Sequence, residues 1–197
     1  SASSFIIPLA AGTCAAVAVT RPVSLSKIWL AGLAPNAVSL TIAGSNVSAA
    51  VAGSSTAPAT TTPATAQALL GSTVSLTEAF SNGSAATYAS TLACSKTSDG
   101  SAVATTGTCL SRSIVMPTDS AVSCTYTNGR LPILRLQKAL PLGRFVAADQ
   151  FALSIGGSGG PASVTTTGSD NIATGTAMLN PAAIGASYSF GETGASG

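Results

Sequence analysis

Lys27, Glu78 and Asn128 are the residues of this chain that could do chemistry together. Lys27 lies in LSKIWL, Glu78 in SLTEAF and Asn128 in CTYTNGR. Each stretch alternates apolar and polar residues, the period of a half-buried strand. Lys27 shares the parity of Val23 and Leu25, and Glu78 that of Val74 and Leu76, so both point towards the buried face. Buried charges are costly unless paired or neutralised. Burial lowers the pKa of an amine and raises that of a carboxylic acid. A neutral amine is a nucleophile, and a protonated carboxyl polarises an amide and shuttles protons. The product would be a Lys27–Asn128 amide with ammonia released, one intramolecular event in which Glu78 is the catalytic group. The plainer reading leaves Lys27 and Glu78 solvated and gives Asn128-Gly129 to a turn.

The elements that must position these residues are short strands. Ser120–Leu140 reads as two of them joined at Asn128-Gly129, a strong turn dipeptide. Val122, Cys124 and Tyr126 alternate with Ser123, Thr125 and Thr127, and Ile133, Leu134, Leu136 and Leu140 open the second strand around Lys138. This is the seam between two domains, because the chain repeats around it. Pro8 answers Pro117, Cys14 answers Cys124, Arg21 answers Arg130 and Lys27 answers Lys138. Ala37–Gly44 answers Phe151–Gly157, and Gly71–Phe80 answers Gly185–Gly194. The offset is roughly 110 residues, a domain-sized repeat.

The repeat divides the chain into 1–20, 21–130 and 131–197. Around seven short strands with frequent turn signals and no helical periodicity make 21–130 a β-sandwich. Ser45–Thr65 is rich in Ser, Thr, Ala and Pro and reads as short strands and loops. Residues 131–197 begin the same way but lack a counterpart of Tyr88–Cys94 and of the last strand. Residues 1–20 match the end of a domain, with Val19-Thr20 where Asn128-Gly129 lies. The expected architecture is therefore all-β: two tandem prealbumin- or immunoglobulin-like sandwiches, the second completed by a donor strand, 1–20, from a neighbouring subunit. A head-to-tail contact of this kind yields a filament, a homopolymer. The alternative is a stretch of a longer tandem array.

Composition excludes several classes. Only 7% of the residues are charged and the formal net charge is +2, too little for a phosphate-tracking surface, so nucleic acid is not a partner. There is no histidine, which argues against a metal site, a cofactor-bearing centre or an enzyme. No apolar run is long enough for a spanning helix. Gly156–Pro161 follows a strand and opens no helix, so it is not a phosphate loop. The cysteines Cys14, Cys94, Cys109 and Cys124 form no CxxC, which disfavours zinc and fits disulfides in an oxidising, extracellular compartment. Four cysteines allow three pairings. Cys94–Cys124 is favoured because both end or flank adjacent strands; Cys94–Cys109 is the local alternative, and Cys109 is otherwise free.

The order of lysine in LSKIWL, glutamate in SLTEAF and asparagine in CTYTNGR resembles the prealbumin-like B-type domains of Gram-positive collagen adhesins and pilins and their relatives in repetitive bacterial surface proteins. The resemblance implies an isopeptide bond between Lys27 and Asn128, catalysed by Glu78, and relatives with similar ends also carry a cysteine pair like Cys94 and Cys124. The second copy keeps Lys138 and Glu192 but offers no asparagine, so no Lys138 isopeptide is expected there. Cys14 would then take the position of Cys124 and be available for a disulfide, including one between subunits. The expected function is a structural subunit of an extracellular bacterial filament or surface fibre; the alternative is an adhesin or binding-module fragment of a long tandem-repeat surface protein.

Overall fold

The computed structural model describes residues 18–169 and 172–195. The chain divides into two compact units, the first ending at Arg130 and the second beginning at Leu131.

The strands of the first unit are β1 (Thr20–Leu30), β2 (Ala37–Ala43), β3 (Val47–Val51), β4 (Gly53–Thr56), β5 (Thr60–Thr62), β6 (Ala64–Leu69), β7 (Thr73–Asn82), β8 (Tyr88–Lys96), β9 (Thr106–Thr108), β10 (Ser111–Val115) and β11 (Val122–Arg130). They form two sheets, ordered β3-β6-β1-β11-β8 and β5-β4-β2-β7-β10-β9. The alternation read from the sequence sets their inner faces: Val23 and Leu25 on β1, Val38, Leu40 and Ile42 on β2, and Val74 and Leu76 on β7 are all buried. Burying such a side chain is worth about 1.5–3 kcal/mol, and these residues share one core with Ile114, Val122 and Tyr126. The Ser/Thr/Ala/Pro segment supplies three short strands, β3 to β5, so the unit carries more strands than its sequence signals announce.

The first and last strands of this unit are neighbours, but they run parallel, with Leu25 opposite Cys124, Lys27 opposite Tyr126 and Trp29 opposite Asn128. β8 lies antiparallel on the other side of β11, with Cys94 opposite Cys124. Asn128-Gly129 is not a turn: β11 runs through both residues to Arg130. Gly129 is absent from the positive-φ glycines, and both its neighbours' ladders are made, to β1 and to β8. Two flanking strands outweigh a local turn preference.

The second unit contains β12 (Leu134–Ala139), β13 (Gln150–Gly157), β14 (Ala162–Thr165), β15 (Ile172–Leu179) and β16 (Tyr188–Ala195). β12 pairs with β15, and a second sheet has the order β14-β13-β16. Its core is small: Leu153, Ile155 and Ala177, with Leu134, Leu136, Phe151 and Tyr188 packed at its margin. The sequence repeat reappears as register. Leu40 of β2 faces Glu78 of β7, and Leu153 of β13 faces Glu192 of β16. β1 lies between β6 and β11, whereas β12 has β15 on one side and no strand on the other among the described residues. The donor-strand reading of 1–20 falls almost wholly on residues outside those described. Thr20 itself opens β1, and the Val19 carbonyl accepts from Leu70 N–H at 3.1 Å.

Candidate functional site

Lys27, Glu78 and Asn128 arrive from three strands in two facing sheets and meet in the first unit's core. Their parity does this: Lys27 follows Val23 and Leu25 inward along β1, Glu78 follows Val74 and Leu76 along β7, and Asn128 follows Cys124 and Tyr126 along β11. The Lys27 Nζ donates to Glu78 Oε2 at 2.7 Å, and the Asn128 Nδ2 donates to Glu78 Oε1 at 2.5 Å. Lys27 and Glu78 have no side-chain exposure, and Asn128 is fully buried. The carboxyl of Glu78 thus bridges the amine and the amide.

Burial pulls the Lys27 amine below its ordinary pKa, while the hydrogen bond and charge of Glu78 pull it partly back. The Asn128 Oδ1 is buried without a hydrogen-bond partner. Turning that amide over would set Oδ1 against Glu78, where a protonated carboxyl donates to it and draws charge from the amide carbon. The arrangement therefore holds a desolvated amine, a proton carrier and an amide in one dry pocket. It can carry attack of Nζ on the Asn128 side-chain carbon, with the amide nitrogen leaving as ammonia.

Aromatic rings line this part of the core. The Lys27 Nζ sits 4.7 Å from the Trp29 ring centre. Trp29 meets Tyr88 and Phe80 edge to face at 5.3 and 6.0 Å, and its Nε1 donates to Ser55 Oγ at 2.9 Å. The Tyr126 hydroxyl donates to the Leu76 carbonyl at 2.9 Å. Its pKa is pushed up to about 12, first by burial and then by the charge of Glu78. The sequence reading left these rings out of the site. A signal was present: Trp29, Phe80 and Tyr126 each stand two residues from Lys27, Glu78 and Asn128, on the same face of the same strand.

Cys94 and Cys124 form a disulfide across the β8–β11 ladder. Cys109 is a free, exposed thiol, and Cys14 lies outside the described residues.

The second unit repeats part of the site. The Lys138 Nζ lies 2.5 Å from Glu192 Oε1 and 4.5 Å from the Phe151 ring centre. Here the side chains are 22% and 42% exposed, and no amide meets them among the described residues. Nor do the described residues place three or more His, Cys, Asp or Glu side chains together as metal ligands. No helix among them is long and apolar enough to cross a membrane.

A family model described as a prealbumin-like fold domain matches residues 36–130 and 133–197. The chain belongs to this family, a pilin-type structural domain of surface proteins. No curated protein and no solved structure matches it.

Proposed function

We propose that this chain is a structural subunit of an extracellular bacterial surface fibre, built of two tandem prealbumin-like sandwiches and joined head to tail by strand complementation. The observation that carries the reading is the edge of β12, bare among the described residues, set against β1, which is flanked on both sides. A bare edge presents unpaired N–H and C=O groups and accepts an added strand. Residues 1–20, which match the strands β10 and β11 in sequence, are the segment to fill it. The contact is heterologous, so it propagates rather than closes.

Covalent staples suit such a fibre. The Cys94–Cys124 disulfide is one. A Lys27–Asn128 isopeptide, formed once through Glu78, is the other. The buried contact of both partners with one carboxyl supports it. The chain acts on itself alone and has no turnover.

Negative-stain electron microscopy of the purified chain tests the assembly: fibres are expected, and deletion of residues 1–20 leaves folded monomers. Fibres that survive the deletion overturn strand donation, whereas monomers from the undeleted chain favour the tandem-array reading. Intact mass tests the staple, with one ammonia missing per chain in the wild type and none in Lys27→Ala.

A further inference from the structure

The proposed fibre leaves open how the donor lies, and the two units together fix this. In the first unit, β11 covers what β1 and β7 bury: Tyr126 reaches over to the Leu76 carbonyl, and Asn128 to Glu78. Where β11 has a partner, Lys27, Glu78 and Leu76 are 4%, 2% and 0% exposed. The residues in the same register positions of the second unit are Lys138, Glu192 and Phe190. Phe190 faces Ile155 as Leu76 faces Ile42, yet Phe190 is 57% exposed, and the Lys138 and Glu192 side chains are partly open to solvent. The exposed members are the ones that β11 covers in the first unit. No strand takes that place among the described residues, so the cover that fits is a β11-like strand, and β11 runs parallel to β1.

Resting on the strand-complementation reading, we infer that residues 13–18 of a second copy lie along the free edge of β12, parallel to it, with Val17 opposite Lys138 and Ala16 opposite Gln137. Arg21 answers Arg130 and Val19 answers Asn128, so counting back from these nearer anchors places Val17 where Tyr126 stands and Ala16 where Thr125 stands, and the one-residue drift that sets Cys14 against Cys124 falls upstream of Ala16. Tyr126 pairs with Lys27 and Thr125 with Ser26, and the repeat carries these partners to Lys138 and Gln137. Val17 then points into the core of the neighbour's second unit and Ala16 points out. The volumes agree: the donor brings valine where β11 has tyrosine, and β13 brings Phe151 where β2 has Val38. The donor's own unit takes hold at Val19 through Leu70, so the donated stretch lies upstream of it. The donated stretch carries no asparagine, so Lys138 finds no amide and keeps its amine.

Disulfide trapping in assembled fibres tests the direction and register. Two chains, one carrying Ala16→Cys and the other Gln137→Cys, each with Cys14→Ser and Cys109→Ser, are mixed and oxidised. The two mutated positions face outward, so folding of the donor site is preserved. Cross-linked heterodimers that vanish on reduction are expected from this mixture, and a several-fold lower yield when Val17→Cys replaces Ala16→Cys. Fibres that form while Ala16→Cys instead links to a cysteine at Ser163 on β14, or while the Val17→Cys mixture gives the higher yield, overturn the placement. Absence of fibres from the wild-type chain overturns the assembly reading itself, and the two failures are told apart by microscopy on the same samples.

Discussion

The two units hold the same acid–amine pair in the same register, and one strand makes the difference between them. Lys27 and Glu78 are sealed under β11 beside aromatic rings, whereas Lys138 and Glu192 sit at an open edge. In the first, both charges have left water and each depends on the other and on Asn128. In the second, water shares the work, and the pair is an ordinary surface contact. A lysine and a glutamate on facing strands are thus only as chemically unusual as the strand laid across them.

The comparison breaks most decisively at the acid. Glu78→Ala strands a buried amine, and the first unit should lose about 3–5 kcal/mol, the usual effect of removing one partner of a buried pair. Urea unfolding measures it, and intact mass should show that no ammonia is lost. Next comes the disulfide. Cys94→Ser opens a loop of sequence separation 30, worth about 3–4 kcal/mol by loop-closure entropy, and it should lower only the first of two calorimetric transitions.

A third prediction concerns pH. Tyr126 ionises at an ordinary 10.0 when unfolded and at about 12 when folded. Between these values the unfolded chain releases its proton first, so stability falls as pH rises, by at most about 3 kcal/mol. Lys27 works in the opposite sense, because its lowered pKa makes the unfolded chain the stronger proton binder just below 10.5. If Lys27 is locked in an amide it no longer titrates, and the fall from Tyr126 stands alone. Tyr126→Phe should flatten it. The smallest effect is expected for Glu192→Ala, about 0–1 kcal/mol with the intact mass otherwise unchanged. A loss comparable to that of Glu78→Ala would mean that the open edge is not open in solution.

Much of this was legible in the residues. Alternation placed Lys27 and Glu78 inward because a strand has a period of two, and a charge in phase with valine and leucine has nowhere else to point. The repeat was readable for the same reason: Lys138 and Glu192 recur in matching phase with Leu136 and Phe190. Asn128 was harder. Asn-Gly is a strong local turn signal, and only the strands on both sides of β11 explain why the chain stays extended there. The parallel pairing of β1 with β11 could not be read at all, since direction is set by the path of the whole sheet. The aromatic lining was missed because no ring was read together with the polar residue two places along its strand.

The parallel course of β1 and β11 also decides how the first unit answers a pull. Tension entering at Thr20 and leaving at Arg130 drags two adjacent strands past each other lengthwise. Their hydrogen bonds are then loaded together in shear, not opened one at a time like a zip. The contacts from Lys27 and Asn128 to the shared carboxyl stand across that sliding line. Closing them into an amide would route the load through covalent bonds and leave the domain between them slack.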